Sequence, residues 1–187
     1  LNNNQCRIIG GRWRGRRISF PEVPGLRPTG DRLRETLFNW LQNDIQDAVC
    51  LDVFAGSGVL GFEALSRGAA SVTFVDQSPL IIKHLQTEAE KLSAIDVTFL
   101  CDNVPSSSLL KKLASKKFSL VFLDPPFHQG WVEKSCGWLA GVDILANNTL
   151  IYIEAERELF PLPIPENWEV LKSKFTGQVG YHLIKRT

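Results

Sequence analysis

The segment "AVCLDVFAGSGVLG", residues 48–61, decides the architecture. Its first eight residues (48–55) are mostly apolar, the composition of a strand covered on both faces. They run without a spacer into glycines at 56, 58 and 61, and a helix near 59–67 follows. A strand that passes through a glycine-bearing turn into a helix is the first half of a βαβ unit. The small residues in the turn let a ligand approach the backbone closely.

The same rhythm continues outward. "SVTFVD" (71–76) precedes a helix across 79–93, and "VTFLCD" (97–102) precedes one near 106–115. "FSLVFLD" (118–124) leads to a helix about 131–140, and "TLIYIEAE" (149–156) closes the run. Short apolar strands separated by helices of roughly 10–15 residues predict a doubly wound α/β domain with a mostly parallel, Rossmann-like sheet. Near the carboxyl end, "WEVLKSKFT" and "GYHLIKR" flank "GQVG" with no room for a helix, which predicts an antiparallel hairpin at the sheet edge. Before the alternating region, "CRIIGGRWRGRRISF" (6–20) reads as two short strands broken by Gly10-Gly11. A helix across "DRLRETLFNWL" (31–41) follows, capped by Thr29, with Leu33, Leu37, Trp40 and Leu41 as its apolar stripe. The expected organisation is a small Arg-rich β extension over 1–28 and one doubly wound domain over 29–187.

Composition agrees with a single globular domain: 44% of the 187 residues are hydrophobic and 22% charged. No apolar run approaches the roughly 18 residues of a membrane helix, and the amino terminus shows no secretion signal, so a cytoplasmic protein without membrane contact is expected. Cys6, Cys50, Cys101 and Cys136 form no CxxC pair and the histidines are scattered, so reduced thiols and no metal site are expected. The net charge of +1 hides an asymmetry. Residues 1–34 carry eight arginines against Glu22 and Asp31, a net of +6, and the remainder carries −5. That basic front end is a footprint for a polyanion.

In an open parallel sheet, ligands sit beyond the carboxyl ends of the strands, where strand order reverses. Three expected strand ends carry acids: Asp52, Asp76 and Asp102. Gly56, Gly58 and Gly61 satisfy GxGxxG, and Asp76 falls 20 residues after Gly56, placed to meet a ribose diol. Phe54, Ala55 and Ser57 in the loop, with Gln77 and Asn103 beside the later acids, complete the candidate cofactor contacts. Two cofactors fit the glycines. A nicotinamide dinucleotide rests its pyrophosphate on the helix amino terminus. S-adenosylmethionine has no phosphate; Asp52 suits its cationic sulfonium and methionine portion, Asp76 its ribose and Asp102 its adenine amino group. The additional acids favour S-adenosylmethionine and leave a nicotinamide oxidoreductase as the alternative.

The fourth strand ends "LVFLDPPFHQG" (120–130), a carboxylate followed by two residues that cannot donate a backbone hydrogen bond. Methylation of a nucleobase amine accounts for it. The amine lone pair is delocalised into the ring, and a site that accepts both amine protons turns the lone pair toward an electrophile. Asp124 supplies one acceptor and the Pro125 carbonyl the other. Pro125 and Pro126 hold that backbone rigid, limiting reorganisation during reaction. Phe127 offers a flat face to an extruded base. Asp124 is then an orienter and proton acceptor rather than a nucleophile, and the catalytic work is positioning. His128 next to it reads as a solvated loop residue. Adenine in DNA also presents a planar amine, so DNA adenine methylation stays open at this point, as does a non-catalytic RNA-binding module.

"DVFAGSG", "FVD" and "DPPF", in that order, resemble class I S-adenosylmethionine-dependent amino methyltransferases. The flanking "RIIGGRWRGRRI", "GLRPTGDRLRETLFNWL", "LDVFAGSGVLGFEALSRGA", "LIYIEAE" and "GQVGYHLIKR" are similar to the bacterial RsmD family over nearly the whole chain. That resemblance implies a seven-stranded methyltransferase sheet and S-adenosylmethionine as donor, with S-adenosylhomocysteine as product. It also implies methylation of the 2-amino group of one guanine in small-subunit (16S) ribosomal RNA. Asp124 to Phe127 take the catalytic positions, and Asp52, Gly56, Gly58, Asp76 and Asp102 the cofactor positions. Arg27, Thr29 and Arg32 fall in the segment that covers the cofactor's methionine end in such enzymes. Asp76, a shorter carboxylate that still reaches a ribose, stands where the family often has glutamate.

On an extended strand Arg12, Arg14 and Arg16 share one face and Trp13 the other. With Arg17 they are the candidate RNA contacts, since guanidiniums grip phosphates bidentately. The expected partner is ribosomal RNA, free or within the small subunit, and the expected state is a monomer.

Overall fold

The computed structural model describes residues 4–23 and 29–187. Arg27, and the boundary expected at residue 28, lie outside the described residues. A small sheet pairs β1 (Gln5–Arg7) with β2 (Arg17–Ser19) antiparallel. After α1 (Asp31–Trp40) come β3 (Val49–Asp52), α2 (Val59–Ser66), β4 (Ser71–Asp76), α3 (Pro79–Leu92), β5 (Val97–Cys101), α4 (Ser107–Leu113), β6 (Phe118–Leu123) and α5 (Trp131–Ala140). The chain closes with β7 (Leu145–Glu156), β8 (Trp168–Thr176) and β9 (Val179–Arg186). Strands β3 to β9 form a seven-stranded sheet in the order β5-β4-β3-β6-β7-β9-β8. β3, β4, β5, β6 and β7 run parallel, and β9 is antiparallel to both its neighbours. The doubly wound sheet and its carboxyl-terminal hairpin are therefore as the alternation predicts. No helix among the described residues is long and apolar enough to cross a membrane.

The apolar strand runs follow from burial on both faces. Along β6, Leu120 and Phe122 join a core with Leu37, Phe38, Phe62, Phe74 and Tyr152, while Val121 and Leu123 join Leu51, Val75, Leu109, Leu139 and Ile151 on the other side. Alternate side chains point to opposite faces, so both must be hydrophobic when helices cover both. Local chemistry fixes the helix starts. Ser78 and Ser106 accept the Ile81 and Leu109 amides at 3.4 and 2.9 Å, and Pro79 occupies the first turn of α3. The chain winds outward from β3 through β4 to β5, then crosses back to lay β6 on the other side of β3. The strand order thus reverses between β3 and β6, which opens a crevice at their carboxyl ends.

Three local expectations are corrected. Thr29 does not cap α1: the cap position is Gly30, without a side-chain bond, and the Thr29 hydroxyl is spent elsewhere. β7 begins at Leu145 rather than 149, with a register shift against β6 between Phe118 and Leu120. Arg12, Arg14 and Arg16 do not share a strand face, because Gly11–Trp13 coil into a 3-10 turn. Gly11 has φ +73°, and a Cβ there would lie 1.8 Å from the Ser66 carbonyl oxygen, so the chain turns where only glycine fits. The buried Trp13 then donates its amide to Ser66 Oγ at 2.9 Å.

A buried ionic knot fastens the extension to the large sheet. The fully buried Glu63 on α2 accepts the Ile9 and Gly10 amides at 2.9 and 2.8 Å. It also pairs with Arg34 of α1 at 3.1 Å and Arg67 at 2.7 Å. Arg34, itself fully buried, donates further to the Thr29 and Arg7 carbonyls and to Asp31. From this knot the extension runs along α3, with Ser19 bonded to Glu88 at 2.7 Å, and Val23 reaches the crevice.

Candidate active site

The crevice is a cavity of about 1020 Å³ at the carboxyl ends of β3, β4, β6 and β7. Asp52 ends β3 and is buried, and its Oδ2 has no hydrogen-bond partner among the described residues. Burial pushes its carboxyl up to about 7, against the pull of the Gly61 amide, with Asp76 adding a further upward push. Asp76, ending β4, braces the glycine loop: its Oδ2 accepts the Gly56 amide at 3.1 Å and its Oδ1 the Ser78 amide at 2.8 Å. Phe54, Ala55, Ser57 and Gln77 line the cavity beside them. Gly58 caps α2 at φ +74°, where a Cβ would strike Leu85 Cδ2 at 2.3 Å, so the tight turn requires glycine.

Asp102 and Asn103 also line the cavity, but Asp102 is engaged by the protein. Its carboxylate accepts Ser106 Oγ and Lys112 Nζ, both at 2.8 Å, and the Lys112 hydrogen bond, foremost among the causes, holds it down at about 2. It anchors the start of α4 as well as facing the crevice.

Asp124 follows β6 directly, partly buried, with Pro125 buried behind it and Phe127 half-exposed. Among the described residues no backbone amide donates to the Pro125 carbonyl. Burial raises the Asp124 carboxyl well above the ordinary range, and the negative charges of Glu154 and Asp52 raise it further. His128 points away: its amide meets Glu156 at 3.2 Å, and its ring is 68% exposed next to Glu158.

Glu154 is the residue that sequence reasoning missed. It sits near the end of β7, 5% exposed, and its Oε1 accepts hydrogen bonds from the Tyr152 hydroxyl at 2.8 Å and the Thr29 hydroxyl at 3.0 Å. Burial raises its carboxyl while those two hydroxyls pull it back. A carboxylate interrupting the apolar run "LIYIEA" was the available signal. Trp131, packed against Phe54 at 6.2 Å, adds an aromatic wall that was also unforeseen. Among the described residues, none of Asp52, Asp124 and Glu154 is ion-paired. Three acids without an ion-pair partner among the described residues, gathered around one cavity, suit a cationic ligand, which favours their ionised forms, better than a pyrophosphate.

The arginines lie apart from this cavity. The Arg12 guanidinium covers the Trp13 ring at 4.2 Å, and Arg16 donates to the Lys91 carbonyl at 2.6 Å, near the far end of α3. Ile81 of the same helix lines the cavity, so the helical rise puts about 15 Å between the two ends. Arg14 and Arg17 are exposed.

The protein-family profile described as "Conserved hypothetical protein 95" matches residues 6–185. The chain is 45% identical over 186 residues to the "Ribosomal RNA small subunit methyltransferase D" of Escherichia coli, covering 98% of this chain and 91% of that protein. It is 46% identical over 180 residues to the protein of the same name from Haemophilus influenzae, covering 96% and 93%. The solved structure titled "Putative methyltransferase yhhF from Escherichia coli" superposes with a TM-score of 0.87 at 42% identity, covering 98% of both chains.

Proposed function

The chain belongs to the family described as Conserved hypothetical protein 95, and from that premise we propose that it methylates small-subunit ribosomal RNA with S-adenosylmethionine, at the 2-amino group of one guanine. The observation that carries this reading is the Asp124–Pro125 corner, two acceptors in a cavity lined by acids that have no ion-pair partner among the described residues. The residues fit the cofactor: the unpartnered Asp52 Oδ2 offers a carboxylate to a cation, and Asp76 keeps lone pairs for a ribose while holding Gly56. When bound, the cofactor supplies an electrophilic methyl carbon. Asp124 and the Pro125 carbonyl accept the two amine hydrogens, which leaves the nitrogen lone pair free to face that carbon. Asp124 then takes the proton that the methylated amine must lose. Phe127 stacks on the base, and the paired prolines keep the acceptors from drifting. Tritium transfer from labelled cofactor to small ribosomal subunits, naked 16S RNA and duplex DNA tests the reading. Label in N2-methylguanosine of the RNA is the expected result; label in DNA adenine, or binding of NADH in preference, would overturn it.

Cofactor affinity gives a separate check. Asp52 must be ionised to meet a cation, and its carboxyl protonates at about 7 in the free protein. Calorimetric affinity for S-adenosylmethionine should therefore fall as pH drops from 8 to 6, by up to about tenfold per unit once below that value. S-adenosylhomocysteine, whose sulfur is uncharged, should lose less.

Arg12, Arg14, Arg16 and Arg17 form a second footprint, gripping phosphates remote from the target base and so placing a large RNA without reading its sequence. Arg14→Ala combined with Arg16→Ala should weaken RNA binding and reduce the salt slope by roughly 0.7–0.9 per lost contact. An unchanged slope would make these arginines structural.

A further inference from the structure

We propose that Glu154 selects guanine, by accepting the N1–H of the target base while Asp124 and Pro125 hold its 2-amino group; the role rests on the guanine 2-amino reading above. The Glu154 side chain is fixed before any base arrives. Oε1 is held by two hydroxyls from different parts of the chain, Tyr152 on the same strand and Thr29 ahead of α1. Oε2 has no protein partner among the described residues, yet it is not sealed in, and Glu154 lines the same cavity as Asp124 and Phe127. A buried carboxylate with one oxygen clamped and the other open to a cavity is an acceptor awaiting a donor.

Guanine offers that donor. Its N1–H lies beside the 2-amino group, so a base whose amine meets Asp124 presents a further hydrogen to a neighbouring acceptor. Adenine and 2-aminopurine carry a bare lone pair at N1. Set against Glu154, that lone pair would leave two acceptors facing each other away from water. A site built around a buried polar partner rejects the analogue lacking it far more strongly than an apolar pocket does. Asp124 and Pro125 by themselves require only an amine with two hydrogens. Glu154 therefore supplies the discrimination that the "DPPF" corner lacks.

The test uses target RNA, or small subunits reconstituted with it, in which the methylated guanosine is replaced by 2-aminopurine riboside or by 6-thioguanosine. The first keeps the 2-amino nucleophile but loses N1–H, and the second keeps N1–H and alters only the position-6 atom. The wild-type protein should modify 2-aminopurine at least about 10²-fold more slowly than guanosine, with 6-thioguanosine close to guanosine. Glu154→Gln preserves an oxygen for the two hydroxyls and turns an N–H donor toward N1. It should keep its affinity for S-adenosylmethionine while the guanosine-to-2-aminopurine ratio falls by at least about tenfold. Tyr152→Phe, which loosens the clamp without touching the carboxylate, should lower the ratio in the same direction and serves if the glutamine variant does not fold. Equal wild-type rates on guanosine and 2-aminopurine would overturn the proposal. So would variants that slow both substrates alike. Mapping the wild-type product as anything other than N2-methylguanosine would instead overturn the 2-amino reading on which it depends.

Discussion

Asp124→Ala is expected to abolish methyl transfer, by at least about 10²–10³-fold in kcat, while S-adenosylmethionine still binds. The proposed cofactor contacts are Asp52, Asp76 and the Gly56 loop at the ends of β3 and β4, whereas Asp124 lines the crevice at the end of β6. In the proposed mechanism, loss of that one carboxylate removes both the orienting acceptor and the group that takes the departing proton. Single-turnover measurement with cofactor and RNA both saturating isolates that step from binding. Asp124→Asn separates the two roles, because the amide oxygen still accepts one amine hydrogen but cannot take up a proton. In the wild type, burial and the charges of Glu154 and Asp52 hold the Asp124 carboxyl above its ordinary range. The acid form then persists to higher pH than usual, and activity should fall as pH drops through that raised range. The asparagine variant should lack that limb. Undiminished turnover by Asp124→Ala would refute the mechanism outright.

Arg34→Met is expected to be the most destabilising single change, at about 3–5 kcal/mol. Arg34 is entirely enclosed and meets Glu63, Asp31 and two backbone carbonyls, and Glu63 is equally enclosed. Removing the guanidinium leaves a buried carboxylate with too few donors and two carbonyls with none. Urea unfolding should show a lower midpoint with little change in slope. Pairing the change with Glu63→Leu should cost less than the sum of the two single changes, because the residues share one network. A midpoint for Arg34→Met close to that of the wild type would mean that water replaces the lost donors.

The alternation of strands and helices was legible because burial on both faces forces continuous apolar runs, and "SVTFVD" or "FSLVFLD" can scarcely be anything else. The acids at strand ends were legible for a related reason: a carboxylate closing such a run is costly unless a ligand or a helix start uses it. What stayed hidden depends on distant partners. Thr29 looks like a helix cap in the sequence, yet its hydroxyl bonds Glu154, 125 positions away. Nothing local in the sequence marks Arg34 and Glu63 as buried; their pairing with each other and with Arg67, and the arrival of the Ile9 and Gly10 amides, makes that burial tolerable. The run of arginines suggested a flat ribbon, but Gly11 bends the chain where it meets Ser66. Local periodicity cannot report contacts of that range.

The anchorage at Glu63 changes how deletions near the amino terminus would have to be interpreted. Cutting away residues 1–17 takes the basic groups and, with them, the Ile9 and Gly10 donors that keep an interior anion solvated. The same cut frees the leash that carries Val23 to the wall of the crevice. A shortened chain that fails to modify its nucleic acid would thus have lost rigidity and a pocket wall together with its cationic grip, and only point changes at the arginine tips can apportion the deficit.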